Sequence, residues 1–569
     1  MRLIKRPLTL GVAALTAATL VLAGCADSDR EGEGDGGGDG ASQGTEGSEG
    51  DSGAPAGGDF TFAGSAEPTA LDPFFVSDGE SFRVSRQIFE GLVGTVPGTA
   101  DPAPLLATDW EVSDDGLTYT FNLQTGVKFH DGSDFDADAV CFNFDRWYNM
   151  PASAQSPDLT YYYGALFRGF KTGETSGDAI YESCEADGTD SAVITLKSPF
   201  AGFISALSLP AFSMQSPTAL QDTQDDAAEN PRQTPYSTGE GGGPVGTGPF
   251  KFEAWNRGEN VTLVRNDDYW GEVAQLDRVI VVAIDDPTAR ADALRAGDID
   301  GYDLVGPADL TTLGDEGFTI ENRPAFNVLY LGMNQAQKPL DDIRVRQAIA
   351  HAINLDEVVS TSLPEGTEKA IEFIPPTVAG YTEDVTTYEY DPDKARELLS
   401  EAGAEGATIQ FNYPTGVSRP YMPDPEATFN IISTQLEAVG LTIEPAADQW
   451  DPDYLERIQG TTDHGIHLLG WTGDYNDTDN FLGVFFGTKQ PEWGFDNPEL
   501  FDKLRQARQI PTVEEQVPLY EEINGDVMDF LPGVPLAHPV PSLAFAPGVE
   551  GYEPSPVQDE VWNQVTVSE

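Results

Sequence analysis

The sequence predicts an α/β chain folded as two or more lobes, and three observations carry that expectation. Its 569 residues exceed what one hydrophobic core organises, so more than one core-bearing body is expected. The apolar fraction of 39% is ordinary for a chain that folds in water. Strand-like and helix-like hydrophobic patterns alternate along it, the arrangement from which layered α/β proteins are built.

The elements follow in order. Residues 108–112 and 117–123 read as strands: Leu117, Tyr119, Phe121 and Leu123 alternate with Thr118, Thr120 and Asn122, and Ser113-Asp114-Asp115-Gly116 supplies the turn. A helix is expected over 137–147. The run 279–284 is continuously apolar and suits a strand buried on both faces. Residues 329–334 give another strand, and 343–359 show helical spacing through Val345, Ile349, Ala352 and Ile353. Asp391-Pro392 opens a helix with an N-cap and a proline at the first helical position, and Gly403 closes it. Its apolar face is Ala395, Leu398, Leu399 and Ala402. The 59 glycines and 41 prolines imply many turns between these elements.

The N-terminus reads as an address. Arg2, Lys5 and Arg6 precede an apolar stretch, 8–22, too short to span a membrane comfortably. It ends in Leu22-Ala23-Gly24-Cys25, which resembles a bacterial lipobox, whose cysteine is acylated and becomes the new N-terminus. Residues 1–25 are thus expected to be a lipoprotein signal peptide. Residues 26–58, rich in Gly, Asp, Glu and Ser, have little to bury and are expected to be a disordered tether averaging roughly 30 Å end to end. Gly40-Ala41-Ser42-Gln43-Gly44 has the form of a nucleophile elbow, but without a strand before it and a helix after it the match is one of chance.

The formal charge of −64 disfavours nucleic acid and repels anionic bilayers, so membrane residence would rest on the lipid anchor alone. The charge itself has two readings, solubility in a salty habitat or attraction of cationic cargo. Cys141 and Cys184, an exported pair, favour a disulfide over two buried thiols. No histidine pair has metal-site spacing; His464 and His467, three apart in a strand-like run, are expected on opposite faces. Gly239 to Gly248 lacks the ending of a phosphate loop. No catalytic constellation, metal site or cofactor is expected.

Several segments together resemble one family. They are Phe89-Glu90-Gly91-Leu92-Val93, the run from Trp110 to Phe121, Val127-Lys128-Phe129-His130-Asp131-Gly132, Val245-Gly246-Thr247-Gly248-Pro249-Phe250, Asn266-Asp267-Asp268-Tyr269-Trp270-Gly271 and Arg344-Val345-Arg346-Gln347-Ala348-Ile349. In this order they resemble the peptide- and nickel-type solute-binding proteins of ABC importers, solute-binding protein family 5, over nearly all of 60–560. The resemblance implies a two-lobe, periplasmic-binding-protein-like α/β fold of class II type, with ligand in the inter-lobe cleft. Mapped here, lobe one would be 59–324 with an inserted subdomain at 98–235, lobe two 325–535, and 536–569 a return to lobe one.

Two further stretches narrow the cargo. Gly470-Trp471-Thr472-Gly473-Asp474-Tyr475-Asn476-Asp477 is similar to the segment of dipeptide-binding proteins whose aspartate holds the peptide ammonium, and Asp474 is the matching position. Ser418-Arg419-Pro420-Tyr421 resembles the segment whose arginine holds the peptide carboxylate, matching Arg419. A buried zwitterion needs both charges met, and a guanidinium suits a planar carboxylate. Trp471, Gly473 and Tyr421 join them as expected ligand-binding residues. Each has a plainer reading: Asp474 as a loop acid, Arg419 as a salt-bridge residue, Trp471 as core packing. Asp474, Asn476, Asp477 and Asp479 form an acidic cluster, but lack the spacing of a calcium loop. The expected function is a monomeric binding lipoprotein on the outer face of the cytoplasmic membrane, delivering short peptides to a permease with ATPase subunits. The alternatives are a nickel chelate, haem or oligosaccharide as cargo, or a signalling or adhesive lipoprotein that keeps the fold.

Overall fold

The computed structural model describes residues 57–223 and 230–568. Cys25, the 1–25 signal peptide and the 26–58 segment up to residue 56 lie outside the described residues. Two large mixed sheets dominate. The first has seven strands in the order Thr319–Asn322, Ser542–Phe545, Gly301–Asp303, Asp59–Gly64, Arg278–Ala283, Asn260–Arg265 and Phe250–Asn256. The second has six: Glu368–Lys369, Gly533–His538, Asn327–Met333, Ile466–Thr472, Thr408–Thr415 and Thr442–Gln449. Each sheet carries its own apolar core, the first around Phe60, Phe62 and Trp562, the second around Leu331, Leu468 and Trp493.

A third, antiparallel sheet orders Ala107–Val112, Thr118–Leu123, Ser191–Leu196 and Tyr181–Ala186. The helix Ala137–Tyr148 starts where the Asp136 carboxylate accepts from Ala139 N at 2.9 Å, a side-chain cap for a helix end that lacks backbone partners. Cys141 on this helix is disulfide-bonded to Cys184 on Tyr181–Ala186, with Cα atoms 5.1 Å apart. Trp147, Phe144, Phe167 and Phe212 fill the space between.

The chain passes between the two large sheets twice, after Asn322 and before Ser542. These crossings are tied side by side: Arg323 N donates to Pro541 O at 2.9 Å, and Ser542 Oγ to Asn322 Oδ1 at 2.7 Å. Beneath them lies a buried ionic quartet. Arg323 donates to Asp303 Oδ1 at 2.6 Å and to both Glu560 oxygens at 2.6 and 2.7 Å, while Arg83 reaches Asp303 Oδ2 at 2.5 Å. Burial would raise the Asp303 pKa, but Arg323 and Arg83 hold it well below the usual carboxylate range. The return expected from 536 starts later, because the strand Gly533–His538 runs through that point and stays paired in the second sheet.

Other expectations are corrected by packing. The 279–284 run is a strand, Arg278–Ala283, but only Val279 and Val281 are buried. Its other face meets a small cluster around Leu294 and Tyr302 that covers Val282 only in part. The 343–359 stretch is two helices, Ile343–Ala352 and Leu355–Ser362, because Ile353 is extended and Asn354 caps a new start by accepting from Glu357 N at 3.3 Å. His464 and His467 do not diverge: the strand begins only at Ile466, and the two rings lie edge to face, 5.1 Å apart. The helix Pro392–Ala402 has Asp391 as its cap and Gly403 in the left-handed region at φ 66°. Among the described residues no helix is long and apolar enough to cross a membrane.

One buried acid makes a test of these packing arguments. Glu372 is fully buried; Oε1 accepts from Thr382 N at 3.0 Å, and Oε2 has no partner. Burial pushes its carboxyl from 4.5 up to about 8, against the Thr382 hydrogen bond and with Glu521 adding to the rise. An acid whose folded pKa exceeds its unfolded value stabilises the fold while protonated, and that contribution is lost as pH climbs from about 4.5 through 8. Glu372→Gln is therefore expected to add up to about 4 kcal/mol at pH 8 and almost nothing at pH 4.5. Melting curves at the two pH values check it; an equal effect at both would contradict it.

Candidate ligand-binding site

A cavity of about 530 Å³ lies between the two large sheets, within the usual range for small-molecule sites. The first sheet's side contributes Arg83, Arg86 and Asp303, and Tyr162 comes from the helix Tyr161–Phe167. The second contributes Arg419, Tyr421, Trp471, Gly473, Asp474 and Glu492. All five residues singled out from sequence as ligand-binding line this one cavity.

The strand Ile466–Thr472 brings Asp474 there. It is central in its sheet, paired with Asn327–Met333 on one side and Thr408–Thr415 on the other. Past its end Gly473 packs on Phe326, where a Cβ would come within 2.2 Å of the ring and 2.7 Å of Phe481. Only glycine fits, so Gly473 shapes the turn that aims the next residue. Asn480 then clamps that turn: its Oδ1 accepts from Asp474 N at 2.8 Å and Trp471 Nε1 at 3.4 Å, while its Nδ2 donates to Asp474 Oδ2 at 3.2 Å.

Asp474 Oδ1 accepts from Tyr162 OH at 2.7 Å, a contact from the opposite side of the cleft. No Lys or Arg lies within ion-pair distance of Asp474 among the described residues. Burial pushes its carboxyl up to about 6, only partly offset by the hydrogen bonds from Tyr162 and Asn480 and by the more distant Arg86. Arg86 is itself engaged, by Asp559 at 3.4 Å and Val557 O at 2.8 Å.

Arg419 sits in a tight turn in which its N–H donates to Met422 O at 3.1 Å and the Met422 N–H returns the bond at 2.9 Å. Its guanidinium carbon lies 4.3 Å from the centre of the Trp450 ring, a cation–π contact that fixes direction without neutralising charge. Arg419 Nε is buried without a hydrogen-bond partner. Tyr421 is buried against Gly470, where a Cβ would stand 2.4 Å from its ring. Trp471 is half-buried and packs edge-on to Phe485 at 6.3 Å, so it joins the core as well as the cavity wall.

The acidic neighbours of Asp474 serve the contact between the halves. Tyr475 is buried in the aromatic core that holds Trp147 and Phe203, and Asn476 donates to Asp101 at 2.8 Å. Asp479 pairs with Arg508 at 3.1 Å, and Arg508 reaches Ala165 O and Leu166 O across the gap. No cluster of three or more His, Cys, Asp or Glu placed to hold a metal ion occurs among the described residues. Sequence reasoning missed Tyr162, Trp450 and Glu492: each meets the site only through the tertiary fold, Tyr162 from 312 positions away.

The chain matches the family described as bacterial extracellular solute-binding proteins, family 5 Middle, over residues 101–493. It is 30% identical to heme-binding protein A of Haemophilus influenzae, covering 97% of this chain and 98% of that one. It is also 30% identical to the dipeptide-binding protein of Escherichia coli, covering 89% and 94%. The solved structure of the periplasmic binding protein DppA from Helicobacter pylori in complex with peptide STSA is 29% identical, with a TM-score of 0.74 over 90% of this chain and 98% of that one. NikA from Brucella suis in complex with Fe(III)-EDTA, 22% identical with a TM-score of 0.75, shares the fold. The chain therefore belongs to family 5 of the bacterial extracellular solute-binding proteins, as a substrate-binding protein of an ABC importer and not an enzyme.

Proposed function

We propose that this protein captures short peptides outside the cytoplasmic membrane, tethered there through Cys25, and hands them to a membrane permease driven by ATPase subunits. The observation that carries the reading is the pair of unneutralised charges on one cavity, the Asp474 carboxylate and the Arg419 guanidinium. A free peptide is a zwitterion with one charge for each. The ammonium meets Asp474, which holds only neutral donors, and the carboxylate meets Arg419 in the fork geometry a guanidinium offers. Each charge-assisted bond contributes roughly 1.5–3 kcal/mol net.

Contact between Asp474 and Tyr162 gives binding a route to closure. A ligand that bridges the two sides favours the closed arrangement by its extra affinity for it, and by no more than that. The haem named for one relative fits this cavity less well: its lining contains no His, Met or Cys, the usual axial ligands alongside Tyr. Of its three tyrosines, Tyr162 and Tyr330 are occupied by Asp474 and Glu492, which leaves Tyr421.

Native mass spectrometry of protein purified from cells is expected to release di- to oligopeptides. In calorimetry with the peptide so identified, Asp474→Asn and Arg419→Ala should each weaken binding about ten- to a hundredfold, the equivalent of one charge-assisted bond. Affinity should also fall as pH drops through about 6, where the Asp474 carboxyl takes up its proton. Unchanged affinity in both variants contradicts the reading.

A further inference from the structure

Besides Asp474 the cavity holds an acid that the two ends of a peptide leave unused. Glu492 is 4% exposed, lines the cavity and lies in the segment after the helix Leu482–Phe486. Its position is rigid. Trp493 beside it is buried against Phe486 and Tyr330 at 5.0 and 5.2 Å, and Glu492 O accepts from His464 Nε2 at 3.0 Å.

Its carboxylate holds no Lys or Arg among the described residues. Tyr330 OH donates to Oε1 at 2.7 Å, and His467 Nε2 lies 3.3 Å from the same oxygen. The other acids of the cavity wall are already engaged: Glu80 and Asp303 by Arg83, Asp78 by its helix start and Glu67 by Trp255 and Gly258. Besides Asp474, Glu492 is the acid of the wall that holds no Lys or Arg, helix end or backbone N–H.

Its surroundings set the shape of what it would take. Val484, Phe485 and Leu469 line the cavity beside it and offer an apolar wall. Glu492 lies against His467 and, through Tyr330, beside Leu469 toward the start of the strand Ile466–Thr472, whereas Asp474 follows the end of that strand and Tyr421 packs on Gly470 between them. Glu492 thus belongs to the Arg419 end of the cavity. An apolar wall leading to a carboxylate matches a methylene stem ending in a cation, the make-up of a lysine or arginine side chain.

We infer that Glu492 forms a side-chain subsite selecting peptides whose residue at the carboxylate end is basic. This rests on the peptide reading and narrows its substrate class. The test is calorimetry of wild type and Glu492→Gln with Ala-Ala, Ala-norleucine and Ala-Lys, norleucine having the stem of lysine without its charge. Wild type is expected to bind Ala-Lys about tenfold or more tightly than Ala-norleucine. Glu492→Gln, which keeps an acceptor for Tyr330, should erase that preference, so that Ala-Lys and Ala-norleucine bind alike. Glu444→Gln, on the exposed edge strand Thr442–Gln449, should keep it, which separates the subsite from the general acidity of the chain. Equal binding of Ala-Lys and Ala-norleucine by wild type overturns the subsite and leaves the peptide reading standing. Loss of the preference in Glu444→Gln as well also overturns the subsite. No binding of any of the three overturns the subsite, and the peptide reading is then decided by the ligand released in native mass spectrometry.

Discussion

A half-buried carboxylate that holds only neutral donors is the constraint on which the cleft depends. Taking a charge out of water is costly unless an opposite charge meets it. Asp474 is held in that position by Asn480 and Tyr162, and neither brings a positive charge. The protein therefore keeps an electrostatic deficit that a cationic ligand group relieves. Arg419, stacked on Trp450 with its Nε unpartnered, is the matching surplus.

Two features of the fold keep these charges in place and apart. The quartet Arg83, Asp303, Arg323 and Glu560 pins the crossing strands, so the two halves meet at a fixed line. Buried pairs of this kind lend little net stability, but removing one partner is expensive, which makes the joint hard to lose. The loop after Asp474 then reaches across: Tyr475 enters the core of the opposite half, and Arg508 spans the gap from its pairing with Asp479. The residue proposed to hold the ligand and the residues that hold the halves together are thus neighbours in one short segment. Occupancy of the cleft and closure of the cleft share a single piece of chain.

Much of this was legible in the sequence, for physical reasons that differ by residue. The helix after Asp391 shows itself locally, because capping side chains, a leading proline and a closing glycine act within a few residues. The strand expected over 329–334 is likewise local, an apolar run found as Asn327–Met333. Asp474 and Arg419 stood out through the segments around them. The break at Ile353 was hidden, since the apolar spacing runs on through a change in backbone direction that the Asn354 cap imposes. The strand Arg278–Ala283 looked buried on both faces because hydropathy cannot tell how much of a neighbouring layer covers it. Tyr162 and Glu492 carry no local sign at all. Their roles arise only when distant segments close on one cavity.

The central claim is that the two ends of a zwitterion are each met by one opposite charge. Calorimetric titration with a single peptide in free, N-acetylated and C-amidated forms measures this directly. The account predicts that acetylation and amidation each weaken binding by about tenfold or more, the worth of one lost charge-assisted bond. Equal affinity for all three forms would contradict it.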